Sequence, residues 1–139
     1  MSFNDNLGLG VVRIKPLGAG GGGGERSAYN GQSSIRYNAN GKPSVAILDK
    51  VYNFPKMVIS PSASQEALFN QFMPSRIEGF LDGFNVNVMA YGQTGSGKTH
   101  TMFGPPGILR KAALGQFGVD ITPDYGLFPR GMITIFNML

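Results

Sequence analysis

Residues 92–99, Gly92-Gln93-Thr94-Gly95-Ser96-Gly97-Lys98-Thr99, place three glycines, a lysine and a threonine at spacings that suit the chemistry of holding an anion. Glycine lets the backbone take positive φ and turn its N–H groups around a bound group that a side chain would keep at a distance. A lysine directly after the last glycine can neutralise that group, and the neighbouring hydroxyl can ligate a divalent cation. The spacing is G-x-x-x-x-G-K-[ST], the P-loop pattern. In it Lys98 would meet the β and γ phosphates of a nucleotide and Thr99 would hold Mg²⁺. Lys98 and Thr99 are the candidate catalytic residues, Thr99 is the candidate metal ligand, and Gly92 through Thr99 form the candidate phosphate cradle.

The pattern has force only where a strand delivers the chain into the loop and a helix leaves it. Phe84, Val86, Val88 and Ala90 alternate with Asn85, Asn87, Met89 and Tyr91, which predicts a strand over 84–92. Lys98 to Phe103 can open a helix whose dipole adds positive potential, until Gly104, Pro105, Pro106 and Gly107 break it. Upstream, Phe69, Phe72, Met73, Ile77, Phe80 and Leu81 recur at helical spacing and predict a helix from about Ser64 to Asp82. Ser62 with Gln65 resembles a capping box, Pro74 should bend the helix or cost it a hydrogen bond, and Gly83 is placed to end it.

Further strands are predicted at Val11 to Lys15, closed by Pro16, and over the apolar run Val45 to Leu48, with a short edge strand at Ser34 to Tyr37. Residues 18–43 contain the run Gly20 to Gly24 and read as a flexible insert and loop. Residues 104–126 read as a long loop with a helical turn around Leu109 to Leu114. The following "GLFPRGMITIFNML" predicts a last helix with Pro129 in its first turn and Met132, Ile133, Phe136 and Leu139 on one face. The run Val45 to Asp49 also has the form of a Walker B strand, which would make Asp49 a metal ligand. That motif normally follows the P-loop in sequence, so a structural role for Asp49 is the better reading.

The 139 residues have the size of one domain, and 42% apolar against 14% charged residues is a globular balance. Net charge is +4, but the basic residues are scattered and form no polybasic cluster, which argues against nucleic acid as a partner. There is no cysteine, hence no disulfide and no thiolate metal site. No signal-peptide pattern opens the chain, and no run is long and apolar enough for a membrane span, so a soluble, cytoplasmic protein with no membrane partner is the expectation.

The stretch "AYGQTGSGKTHTM" resembles the P-loop of kinesin motor domains, and the resemblance extends in order through much of the chain. "VRIKPL" is similar to the first kinesin strand, "LDKVY" to the motif after the second core strand, and "SQEALFNQFMPSRIEGFLDGFNVNVMAYG" to the first helix and third strand. "YGLFPRGMITIFNML" is similar to the segment that resumes the helix after an interrupting loop. The implied fold class is α/β: a P-loop NTPase with a central mixed β-sheet flanked by helices, of which residues 1–139 would be the N-terminal, incomplete part. The implied function is that of a microtubule-dependent ATPase on the cytoskeleton, with ATP and Mg²⁺ as cofactors and tubulin as partner. By the same resemblance Arg13, Lys15 and Pro16 match the Arg-x-Arg-Pro adenine edge, with lysine in place of the second arginine. That exchange keeps the charge and loses a planar stacking surface. His100 falls where the family sets a side chain against the base.

Hydrolysis needs more than a cradle: an acidic group for the metal shell, a group that positions water, and charge stabilisation at the γ phosphate. In kinesins two switch segments supply these, Asn-x-x-Ser-Ser-Arg-Ser-His and Asp-Leu-Ala-Gly-x-Glu, and neither occurs in this sequence. Two expectations stay open. The chain is either part of a working motor and inactive without the remainder, or a short, non-catalytic nucleotide-binding or interaction module.

Overall fold

The structure, a computed structural model, describes residues 10–15, 33–37, 43–47, 50–53, 57–116, 118 and 120–139. Asp49 and Pro16 lie outside them, so the Walker B alternative and the proline of the adenine edge have no structural account. The chain divides into two compact units, residues 1–62 and 63–139, each described by itself.

In the first unit β1 (Val11–Arg13) pairs in parallel with β5 (Met57–Ile59), Val12 opposite Val58. Parallel neighbours cannot be joined by a tight turn. The intervening chain accordingly carries a separate antiparallel meander of β2 (Ser33–Tyr37), β3 (Pro43–Ile47) and β4 (Lys50–Asn53), in that order. The expected edge strand is thus present as β2. β3 is central, and three successive residues, Ser44, Val45 and Ala46, are buried, as an unbroken apolar run predicts for a strand covered on both faces. Two short strands went unpredicted: β4, whose residues are all exposed, and β5, which buries Ile59.

In the second unit α1 (Gln65–Leu81) presents Gln65, Leu68, Phe69, Met73 and Ile77 to the interior, a single face at helical spacing. Ser64, not Ser62, caps it: the Ser64 hydroxyl accepts the Ala67 N–H at 3.0 Å, whereas the Ser62 hydroxyl pairs with that of Ser60 at 2.8 Å. Gln65 is therefore no reciprocal partner of a Ser62 cap. Ser64→Ala is expected to destabilise the unit by about 1 kcal/mol, while Ser62→Ala leaves it nearly unchanged; chemical denaturation of the two variants makes the comparison. The helix runs on through Pro74, at the cost of the N–H that Pro74 lacks. It ends as predicted: Gly83 takes φ 90°, its N–H reaches the Phe80 carbonyl and that of Phe84 reaches Gly79, both at 3.0 Å, the two bonds of a Schellman motif.

Residues 84–91 do not form the predicted strand. They have no ladder partner among the described residues, and Phe84, Val86, Met89 and Tyr91 stand exposed. Alternation records which way side chains face; a strand also needs a neighbour for its N–H and C=O groups.

After the glycine loop come α2 (Lys98–Met102), α3 (Ile108–Ala113) and α4 (Leu127–Met138), the second matching the expected helical turn. Residues 104–125 form a detour between α2 and α4, and the Gly126 N–H closes it on the Phe103 carbonyl at 2.9 Å. A Cβ at Gly126 would come within 2.6 Å of the Met102 carbonyl carbon and the Phe103 nitrogen, so only glycine allows this approach. Arg130, buried in the first turns of α4, holds the returning chain by donating to the carbonyls of Tyr125 (2.7 Å), Thr122 (2.9 Å) and Pro123 (3.0 Å). The face of Met132, Ile133 and Phe136 is not a core face. With Phe103, Ile108 and Phe128 it lines an open groove of about 410 Å³, and Phe136 is 68% exposed.

Candidate phosphate-binding site

The loop after residue 91 is shaped by its glycines. Gly92, Gly95 and Gly97 have φ of 155°, 79° and 98°, a region that side chains disfavour. At Gly92 space matters too, since a Cβ would lie 2.7 Å from the Ser96 hydroxyl. The Ser96 N–H closes a turn on the Gln93 carbonyl at 3.2 Å, and Gly97 then starts α2 with no side-chain cap. Uncapped first-turn amides are what an anion satisfies, and a helix as short as α2 contributes by those amides more than by a summed dipole.

Lys98 folds back across this loop. Its ammonium donates to the carbonyls of Gly92 at 2.7 Å and Gln93 at 2.8 Å, which leaves the third of its three N–H groups for an incoming oxygen. Lysine and loop thus lie together as a candidate anion site. Thr99 is exposed on the first turn. Among the described residues no three acidic, histidine or cysteine side chains cluster as a metal site. The arrangement fits Mg²⁺ only in the way Mg²⁺ accompanies nucleotides, held by one hydroxyl together with phosphate oxygens and water.

His100 follows on α2, and Gln65 at the start of α1 reaches it. The Gln65 amide nitrogen lies 2.7 Å from the His100 carbonyl oxygen and 3.2 Å from its Nδ1. Sequence reasoning missed this, because Gln65 read as a capping residue and nothing local marks a contact made across 35 positions. It also missed Gly126 and Arg130, although "YGLFPRG" contains both. Arg13 ends β1 in the other unit, half-buried, and burial lowers its guanidinium pKa from the ordinary value; Lys15 is exposed. The structure thus gathers residues 92–100 in one place, with Arg13 and Lys15 described in their own unit.

The loop glycines with Lys98 at the start of α2 keep the local geometry of the P-loop pattern, without the strand expected before it. A profile of the kinesin motor domain matches residues 19–139, and the chain belongs to that family. The kinesin-like protein KIN-14M of Oryza sativa subsp. japonica is 52% identical over 89 residues, 64% of this chain. The chain spans only 6% of that relative's length. Among solved structures, the motor domain of the Kar3-like kinesin from Ashbya gossypii aligns with a TM-score of 0.60 and 28% identity, over 92% of this chain and 36% of that one. The Drosophila kinesin family member Kin10/NOD, in complex with divalent manganese and ADP, aligns with a TM-score of 0.60 over the same shares; at 24% identity it shows the fold alone.

Proposed function

We propose that this chain is the ATP-binding part of a kinesin-like microtubule motor, which in the intact motor couples ATP hydrolysis to movement along microtubules in the cytoplasm. The observation that carries the reading is the Lys98 ammonium drawn across the left-handed glycines 92, 95 and 97. Residues 92–99 cradle the phosphates, Lys98 neutralises the β and γ groups, and the Thr99 hydroxyl ligates Mg²⁺. On the kinesin resemblance alone, Arg13, Lys15, Pro16 and His100 are assigned to the adenine. Family membership supports nucleotide and metal as ligands. Among the described residues no helix is long and apolar enough to cross a membrane.

The reading separates binding from turnover. This chain's own residues bind and orient phosphates, while neither switch segment that would position water occurs in its sequence. Phosphate release from the 139-residue chain, with or without microtubules, is expected to stay far below the ordinary enzyme range of about 1 per second or more. Turnover in that range, abolished by Lys98→Ala, would place catalytic groups within these residues.

Base selectivity gives a second test. Flanking side chains without a dedicated polar pocket discriminate weakly, so ATP is expected to compete against a fluorescent nucleotide no more than about a hundredfold better than GTP. A preference of several thousandfold contradicts the proposed base contacts.

A further inference from the structure

Gln65 is only 6% exposed, a polar side chain buried at the first position of α1. Its Nε2 sits 2.7 Å from the His100 carbonyl oxygen and 3.2 Å from His100 Nδ1. Together the two contacts favour one placement of the ring proton. A carbonyl oxygen can only accept, so the amide atom that faces it is the nitrogen and not the oxygen. An amide nitrogen can only donate, so Nδ1 on the same nitrogen must accept. A ring that keeps both contacts is the neutral tautomer with its hydrogen on Nε2.

We infer that Gln65 is a positioning residue of the nucleotide site, which holds His100 in the Nε2–H tautomer and fixes its ring, one residue beyond the phosphate loop, as the surface a purine base lies against. The inference rests on the base-side role proposed for His100. The same amide also ties the α2 backbone to α1, so the ring is anchored from two points of one residue. A ring ordered before binding has less freedom to lose when the base arrives.

His100 is the single histidine of the chain, so labelling histidine with ¹⁵N gives one pair of ring resonances. At a pH where the ring is neutral, the wild-type chain is expected to show Nε2 protonated and Nδ1 unprotonated, without averaging. Gln65→Met keeps the length and removes the donor, and is expected to give averaged tautomers. Gln65→Glu offers only an acceptor and is expected to move the proton onto Nδ1. In titrations, Gln65→Met is expected to weaken a fluorescent ATP analogue about tenfold and inorganic tripolyphosphate less than twofold, because tripolyphosphate engages only the loop. Averaged tautomers in the wild-type chain, which needs no variant to fold, overturn the proposal. Equal losses for nucleotide and tripolyphosphate overturn it as well, leaving a merely structural residue. His100→Ala separates this failure from failure of the base-side reading. If that variant binds ATP normally while the Gln65 variants still redirect the proton, the base-side role falls and takes the positioning role with it. If it loses affinity while Gln65→Glu leaves the proton on Nε2, only the assignment to Gln65 falls.

Discussion

Lys98→Ala is expected to weaken ATP binding by on the order of a hundredfold, because a charge-assisted contact to the phosphates and their neutralisation vanish together. The ammonium is held over the loop by the Gly92 and Gln93 carbonyls, so its position is set before ligand arrives and little of its contribution is spent on ordering it. Those carbonyls belong to exposed residues and can turn to water when the amine is gone, so the fold should survive. A fluorescent-nucleotide titration, with circular dichroism as the control, is the measurement. Unchanged affinity in a folded variant would remove the phosphate-site assignment altogether.

Gly126→Ala is expected to be the most damaging change away from the loop, costing about 3 kcal/mol. The reason is not conformational, since φ at Gly126 is −74°, which any residue adopts. Space decides it: a methyl group would meet the Met102 carbonyl carbon and Phe103 nitrogen at 2.6 Å and the Thr101 carbonyl oxygen at 2.7 Å, all backbone atoms that cannot swing aside. Gly107→Ala provides the contrast. There φ is 99° but nothing lies within 4 Å of the added carbon, so only torsional strain of about 1 kcal/mol is expected. Urea midpoints that shift equally for the two variants would show that the contact between residues 101–103 and Gly126 is loose.

These contrasts mark what the order of residues could disclose. The glycine turn was legible because its signal is local: three glycines take positive φ and Lys98 folds back on its own neighbours. The α1 face and its Gly83 terminus were legible for the same reason, being set by periodicity and one backbone conformation. The cap was misread by two positions because Ser60, Ser62 and Ser64 recur at alternate positions. Spacing alone does not say which hydroxyl faces an orphan N–H. The segment 84–91 shows the reverse error, a correct alternation without the neighbour that would make it a strand. β4 and β5 are too short to carry a pattern, and the apolar face of α4 could be recognised without revealing that it borders a groove. Contacts between distant residues, Gln65 with His100 above all, depend on tertiary approach and leave no mark in a local window.

The junction of Gly126 with Phe103 also makes residues 104–125 modular. The ends of that detour meet through the Gly126–Phe103 backbone hydrogen bond, and Arg130 fastens the returning end from within α4. Lengthening a flexible loop whose ends are already joined costs only about 0.6 kcal/mol for each doubling. Added chain near Gly115, in the exposed turn after α3, would grow outward while the helix on either side of the detour kept its course. That makes the turn a natural port for a fluorophore or a small inserted domain, tethered between α2 and α4.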